Sequence, residues 1–364
     1  MRPAPVAMVW REPGAPHQAI AVPGVDLRDG EALVEVELAT VCGSDVHTVR
    51  GDRPAPTPLV LGHEQVGRIV ALGPGGITAV DGTVMGIGDR IVWGVTASCG
   101  TCDRCRSGLP QKCRHVAKYG HERLARGWEL SGGFATHVQL RAGTAIVRVP
   151  ESMAAALAAP AACSTATAVA ALEAASRVPL DGTTVLVAGA GMIGLAATAM
   201  AADAGANVIV VDPDAARRRT AESFGAELTL DPAAGPLDDR VRQRGLPAPL
   251  AAIEASGSAA AVQAALRSVD IGGVVVLVGS VSPGPGVQLD PEAVVRGLLT
   301  VTGVHNYAPR HLQRAIDYLA SSPRAAAFGA LVGTTYPLAE LDRALAAAAN
   351  GAHVRVGIDP RRVP

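Results

Sequence analysis

Four of the six cysteines in this chain fall within fifteen residues, in "CGTCDRCRSGLPQKC". Cys99, Cys102, Cys105 and Cys113 follow the spacing C-x2-C-x2-C-x7-C. Four thiolates in one loop match the closed tetrahedral shell of a structural zinc, which offers no coordination position to a substrate. A redox pair uses two of the four and leaves the others unexplained, whereas spacings of this type also hold iron–sulfur clusters. Cys42, in "TVCGSDVHT", and Cys163, in "PAACSTAT", have no cysteine neighbour, and "LGHEQVG" places His63 and Glu64 between them. A single buried cysteine usually serves as a small apolar residue. Jointly, however, Cys42, His63 and Cys163 supply a Cys2His set, the composition that leaves a fourth zinc position open for chemistry.

A second constellation lies in "VLVAGAGMIG". Gly189, Gly191 and Gly194 have G-x-G-x-x-G spacing directly after an apolar run, and Met192 and Ile193, which open the helical pattern that follows, are cofactor-binding candidates with them. Gly189 suits a tight turn, Gly191 a close approach of backbone to a pyrophosphate, and Gly194 the packing of helix on strand, with the helix N-terminus facing the negative charge. The next strand pattern, "NVIVVD", ends at Asp212, 23 residues beyond Gly189. That is the distance at which an acid binds the ribose hydroxyls of a dinucleotide. An acid there repels a 2′-phosphate, so NAD is expected rather than NADP, although Arg217 to Arg219 could reach a phosphate.

These residues need two different scaffolds. From about residue 30 to 150 the chain reads as short β segments, such as "EALVEVELATV", "QVGRIVALG" and "DRIVWGV", separated by Gly and Pro turns. From 183 strands alternate with helices, the pattern of a doubly wound parallel sheet. After "GVHNYAP" the order changes again, to helix, strand and helix. The expected organisation is therefore a β-rich domain from both chain ends, residues 1–163 and 306–364, with a nucleotide-type domain, 164–305, inserted between them.

At 364 residues the chain has ample length for two cores, and its net charge of −1 is spread without a basic face or acidic tail. Nucleic acid and anionic membrane are thus not expected partners, and a small neutral substrate is. The N-terminal stretch lacks the apolar core and cleavage site of a signal peptide, so a cytoplasmic location is expected, where cysteines stay reduced and favour metal. Two uncharged stretches, 152–172 and 183–202, are rich in alanine or interrupted by glycine and read as buried elements rather than membrane spans.

In "CGSDVH", "GHE", the four-cysteine loop, the late cysteine and "GAGMIG…D", in that order, the sequence resembles the zinc-dependent alcohol dehydrogenases of the medium-chain dehydrogenase/reductase family over essentially its whole length. The resemblance implies a GroES-like β domain plus a Rossmann domain with the active site in the cleft between them, one catalytic and one structural zinc per chain, NAD, and a homodimer or homotetramer. It makes Cys42, His63 and Cys163 the catalytic zinc ligands, and Glu64 an acid able to approach the metal. Ser44 matches the hydroxyl beside the substrate oxygen, His47 the outer end of a proton relay, and Asp45 an acid next to His63. Arg355 matches an arginine near that site and the cofactor pyrophosphate, while Thr167 and Arg217 match contacts to the nicotinamide end and the adenosine ribose. "KYGHERLARGWELSGGFATHV" and "GVHNYAPRHL" resemble a subgroup that includes phosphonate-associated alcohol dehydrogenases and hydroxycamphor dehydrogenases. The link from "GHE" to "GDRIVWG" is longer than is usual in the family, and Trp93 and Val95 would arise as pocket side chains beyond it. His115, His121, His137, His305 and His311 are candidates for pocket or phosphonate contacts, but a surface or packing role is favoured for each and none is assigned. A non-catalytic zinc-stabilised nicotinamide-binding protein, and a lyase or epimerase using NAD transiently, remain open alternatives.

Overall fold

A computed structural model describes residues 4–362. The described residues form two compact units, one of residues 4–166 and 308–362 and one of residues 167–307.

The first unit is built on a curled sheet of eight strands. Its main path runs Thr144–Arg148, Arg90–Ala97, Gln65–Leu72, Ala32–Thr40, Arg355–Asp359 and Val332–Pro337, with His137–Leu140 added to Ala32–Thr40 and Ala117–Lys118 to Arg90–Ala97. The β segment read in "EALVEVELATV" is a strand whose faces alternate: Ala32, Val34, Val36 and Leu38 are buried while Glu35 faces out. Pairing of this strand with Arg355–Asp359, from the far end of the chain, places Thr40 opposite Gly357. Trp93 is fully buried in this unit's apolar core, opposite Ile146 of the neighbouring strand. The long link before it forms a small hairpin, Ile77–Thr78 with Val84–Met85, anchored by buried Ile77 and Met85. The helix Pro309–Ser321 starts at a proline, which needs no intrahelical N–H partner there. It buries Leu312, Ala315, Ile316 and Leu319, a stripe with helical period.

The second unit is a six-stranded parallel sheet in the order Leu228–Leu230, Asn207–Val211, Thr184–Ala188, Ala251–Glu254, Val274–Leu277 and Thr300–Gly303. With strands numbered along this unit the order is 3-2-1-4-5-6, the doubly wound arrangement in which ligands bind where the order reverses. "TVLVA" is buried at every position, as a strand covered by helices on both faces must be. Each fully buried valine or isoleucine here, such as Val187, Ile209 or Ile253, contributes about 1.5–3 kcal/mol relative to an exposed position.

Among the described residues no single helix is long and apolar enough to cross a membrane. One pair, Ala155–Ala162 and Ser164–Ala174, matches by length and composition but is bent by 52° and largely buried. The stretch 183–202 divides into the strand Thr184–Ala188 and the helix Met192–Asp203.

Candidate active site

The helix Gly43–Arg50 holds the first cluster in place. Cys42 is its N-cap, and the Asp45 carboxylate accepts a hydrogen bond from the Cys42 N–H at 2.9 Å. The other Asp45 oxygen lies 3.5 Å from His63 Nδ1. That contact is electrostatic and leaves Nδ1 without a hydrogen-bond partner, while Nε2 lies 3.4 Å from the Ser44 hydroxyl. Ligand atoms of Cys42, His63, Glu64 and Cys163 all fall within 4.8 Å of one another. This brings together residues that stand 121 positions apart in the sequence, from 42 to 163.

The electrostatics of the cluster fit a divalent cation. A hydrogen bond with Cys163 holds the Cys42 thiol well below its usual range against the effect of burial, and the Arg355 charge adds to this. Cys163 is correspondingly pushed up. Burial alone would favour neutral imidazole at His63, but Asp45 and Cys42 outweigh it and raise it to about 10. Buried thiol and imidazolium protons crowded into one site are what a bound metal displaces, because its ligands must be thiolates and neutral imidazole.

Glu64 is completely buried, and its carboxylate is saturated with donors. Arg355 binds it bidentately, through Nε at 2.8 Å and Nη2 at 2.9 Å. The Thr40 hydroxyl donates at 2.7 Å and the Ser164 hydroxyl at 2.9 Å. Burial raises the Glu64 pKa, and the opposing pull of Arg355 does not overcome it. Arg355 Nη2 also lies 2.7 Å from Ser164 Oγ and 3.8 Å from Cys42 Sγ, so its guanidinium is committed to this cluster. Glu64 could approach a metal only by surrendering some of these bonds. Thr40 and Ser164 carry no motif and were not candidates from the sequence. His47 lies at the other end of the helix, exposed, with Nδ1 3.3 Å from Asp52.

The four-cysteine loop forms a separate cluster in the same unit. All four cysteines are free of disulfides. Sulfur–sulfur separations are 3.5 Å for Cys102–Cys105, 3.9 Å for Cys102–Cys113 and 3.4 Å for Cys113–Cys99. A disulfide needs about 2 Å, whereas the edge of a zinc–thiolate tetrahedron with bonds of about 2.3 Å is about 3.8 Å. An iron–sulfur cluster spreads its four thiolates over two or more irons and so separates some of them widely, whereas all four sulfurs here lie within 4.8 Å of one another and fit a single ion. Thr101 draws the Cys99 thiol down to about 5 by hydrogen bonding, and N–H groups of Cys99 and His115 donate to Cys113 Sγ.

In the second unit the glycine turn borders a cavity of about 770 Å³ lined by Gly189, Gly191, Asp212, Arg217, Ser256 and Arg240 among others. Gly189 has φ +100°, a conformation that side chains disfavour, and a Cβ on Gly194 would lie 1.8 Å from the Gly189 carbonyl oxygen. Over Gly191 there is no atom within 4 Å. It caps the helix Met192–Asp203 without any side-chain acceptor, leaving the first-turn N–H groups to a ligand. Met192 is buried under the turn, and Ile193 is half-buried. Asp212 is nearly buried and accepts from Ala190 N at 2.7 Å and Asp214 N at 2.8 Å, one bond to each oxygen. Each oxygen therefore keeps a lone pair for a ribose hydroxyl. Thr167 is buried in the helix Ser164–Ala174.

Of the histidines left as surface or packing residues, His115 is exposed. His137 Nδ1 lies 3.0 Å from Thr136 Oγ1, and His311 Nδ1 caps the Ala308 N–H. His121 differs: its ring centroid lies 4.9 Å from that of His63.

Residues 28–151 match the family model of the alcohol dehydrogenase GroES-like domain, and 193–321 that of the zinc-binding dehydrogenases. The chain is 30% identical over 344 residues to 5-exo-hydroxycamphor dehydrogenase of Pseudomonas putida, covering 93% of this chain and 94% of that protein. An alcohol dehydrogenase from Thermotoga maritima superposes with a TM-score of 0.91 at 29% identity, over 98% of this chain and 99% of the other. A zinc-binding dehydrogenase from Sinorhizobium meliloti 1021, bound to NADP, gives 0.84 at 27% identity, over 98% and 99%. The chain belongs to the zinc-dependent medium-chain dehydrogenase/reductase family, with its GroES-like and Rossmann-type folds.

Proposed function

We propose that this chain is an NAD-dependent alcohol dehydrogenase, catalysing R2CHOH + NAD+ ⇌ R2C=O + NADH + H+ with a zinc ion held by Cys42, His63 and Cys163. A second zinc held by Cys99, Cys102, Cys105 and Cys113 serves structure. The convergence of Cys42, His63 and Cys163 within 4.8 Å, with Ser44 beside His63 Nε2, carries the reading. It is the arrangement of an open rather than a closed metal shell.

When bound, zinc supplies a Lewis acid for the alcohol oxygen and NAD an acceptor for the hydride. The protein's own residues hold the geometry and manage the proton. Asp45 faces His63 Nδ1 at 3.5 Å, which leaves Nε2 as the nitrogen offered to the metal. Ser44 is placed to accept the alcohol proton. His47, exposed and 3.3 Å from Asp52, is suited to pass it to solvent. The Glu64–Arg355 pair places a guanidinium beside Cys42 and favours the thiolate. Asp212, at the edge of the cavity, accepts ribose hydroxyls and disfavours a 2′-phosphate, which supports NAD.

The test is NADH formation, followed by absorbance, with primary, secondary and cyclic alcohols and with NAD and NADP in parallel. Turnover that is abolished in Cys42→Ser supports the reading. Full turnover in that variant, or NADH binding by wild type without oxidation of any alcohol, overturns it.

A further inference from the structure

Beside the metal-ligand cluster stand two cations that the reaction as proposed does not use. Lys118 ends the short strand Ala117–Lys118, which pairs with Thr96 and Ala97. The turn that follows, Tyr119–Gly120–His121, is held rigidly: Tyr119 is fully buried, and its hydroxyl bonds to Thr144 Oγ1 at 2.7 Å and to Arg141 N at 2.8 Å. Gly120, with φ +73°, packs so closely on Gly62 that a Cβ would lie 2.5 Å from the Gly62 carbonyl oxygen. Gly62 directly precedes His63, so the turn is pressed against the ligand loop. His121 Nδ1 is 2.8 Å from the Tyr119 carbonyl and so carries the proton, which leaves Nε2 to accept from Arg53 Nη1 at 3.3 Å. The Arg53 guanidinium is therefore one imidazole away from His63.

Arg53 and Lys118 are both half-buried, and neither side chain has a carboxylate within ion-pair distance among the described residues. The nearby Glu122 accepts from the Lys118 backbone N–H instead. Burial, and then the Arg53 charge, lower the Lys118 pKa to about 8, with Cys163 acting in the opposite sense. The Lys118 carbonyl accepts from the His121 N–H at 3.2 Å, which ties this strand end to the imidazole that holds Arg53. Partly desolvated, unpaired cations are costly unless an anion joins them, and a guanidinium with a neighbouring ammonium is well suited to an oxyanion. The net charge of −1, from which a neutral substrate is expected, averages over the whole chain and hides this local pair.

We infer that Arg53 and Lys118, with His121 positioning Arg53, form an oxyanion subsite beside the Cys42–His63–Cys163 cluster, and that the substrate is an alcohol bearing a carboxylate or phosphoryl group a few carbons from its hydroxyl. This rests on the dehydrogenase reading above. The probes are 4-hydroxybutanoate, 3-hydroxypropylphosphonate and uncharged 1-butanol, assayed by NADH formation on the zinc-loaded enzyme, with butanoate and propylphosphonate binding followed independently by thermal shift.

Wild type is expected to favour one of the two anionic alcohols over 1-butanol by at least about tenfold in kcat/KM, and the preferred anion identifies the oxyanion. Arg53→Met and Lys118→Met should each lower that anionic-to-neutral ratio by about tenfold, mostly through KM, and abolish the thermal shift given by the corresponding saturated anion. Equal handling of charged and uncharged alcohols by wild type overturns the subsite while leaving the dehydrogenase reading intact. A parallel fall for both kinds of substrate in the variants also overturns it, because the cations then serve the ligand thiolates. Absence of any alcohol turnover removes the dehydrogenase reading and the subsite with it.

Discussion

Replacing Arg355 by methionine would leave a fully buried carboxylate without its counter-ion. In the native chain Glu64 receives two hydrogen bonds from Arg355, at 2.8 and 2.9 Å, and one each from Thr40 and Ser164. Breaking a buried pair by removing one partner costs about 3–5 kcal/mol. The two hydroxyls that remain place Arg355→Met toward the lower part of that range. For a unit of this size each kcal/mol corresponds to roughly 2–4 °C, so the melting temperature should fall by roughly 6–15 °C. Removing both charges together, in Glu64→Leu/Arg355→Met, should recover about 2 kcal/mol relative to the single variant, since the uncompensated charge is then gone. Denaturant titration and calorimetry on zinc-loaded samples measure both. Metal content is followed alongside, because Arg355 Nη2 lies 3.8 Å from Cys42 Sγ. The reasoning fails if Arg355→Met lies within about 1 kcal/mol of wild type, or if the double variant is no more stable than the single.

Gly191→Ala adds a methyl group where no protein atom lies within 4 Å. It should leave the melting temperature unchanged and weaken NADH binding about tenfold or more, read by fluorescence titration; unaltered affinity would show that the pyrophosphate lies elsewhere. Asp212→Ser should lower the NAD-to-NADP ratio of kcat/KM by about a hundredfold. That ratio is the proper readout, because the variant also loses bonds from Ala190 N and Asp214 N that support the turn for either cofactor. His17 is buried with Nδ1 2.6 Å from Asp342, and burial lowers its pKa from 6.5 despite the opposing pull of that carboxylate. The unfolded chain therefore takes up a proton near that pH before the folded one does, and stability declines as pH falls below it. Urea titrations at about pH 7.5 and about pH 5.5 should show a smaller decline in His17→Asn than in wild type.

Much of the site was legible because its spacing is local. The four-cysteine loop and the glycine turn each lie within fifteen residues, and their geometry follows from spacing alone. Cys42, His63 and Cys163 were legible through residue type and order, although nothing in their separation says that strands bring them together. The helix Gly43–Arg50 was not foreseen: it opens with glycine and serine, weak helix formers, and owes its start to the reciprocal cap between Cys42 and Asp45. Thr40 and Ser164 are ordinary hydroxyl residues in the sequence. They become donors to Glu64 because the sheet pairs Ala32–Thr40 with Arg355–Asp359 and a turn delivers Ser164 to the same point. The sequence offers His121 as one of five histidines with a possible pocket role and cannot single it out, because its relation to His63 depends on the contact of Gly120 with Gly62, which no periodicity reveals.

The account depends most on Cys42, His63 and Cys163 sharing one ion while the four-cysteine loop holds another. Zinc per chain, measured by elemental mass spectrometry on dialysed wild type and Cys163→Ser, tests this directly. The expected contents are about two in wild type and about one in the variant. A Cys163→Ser protein that keeps the wild-type zinc content contradicts it.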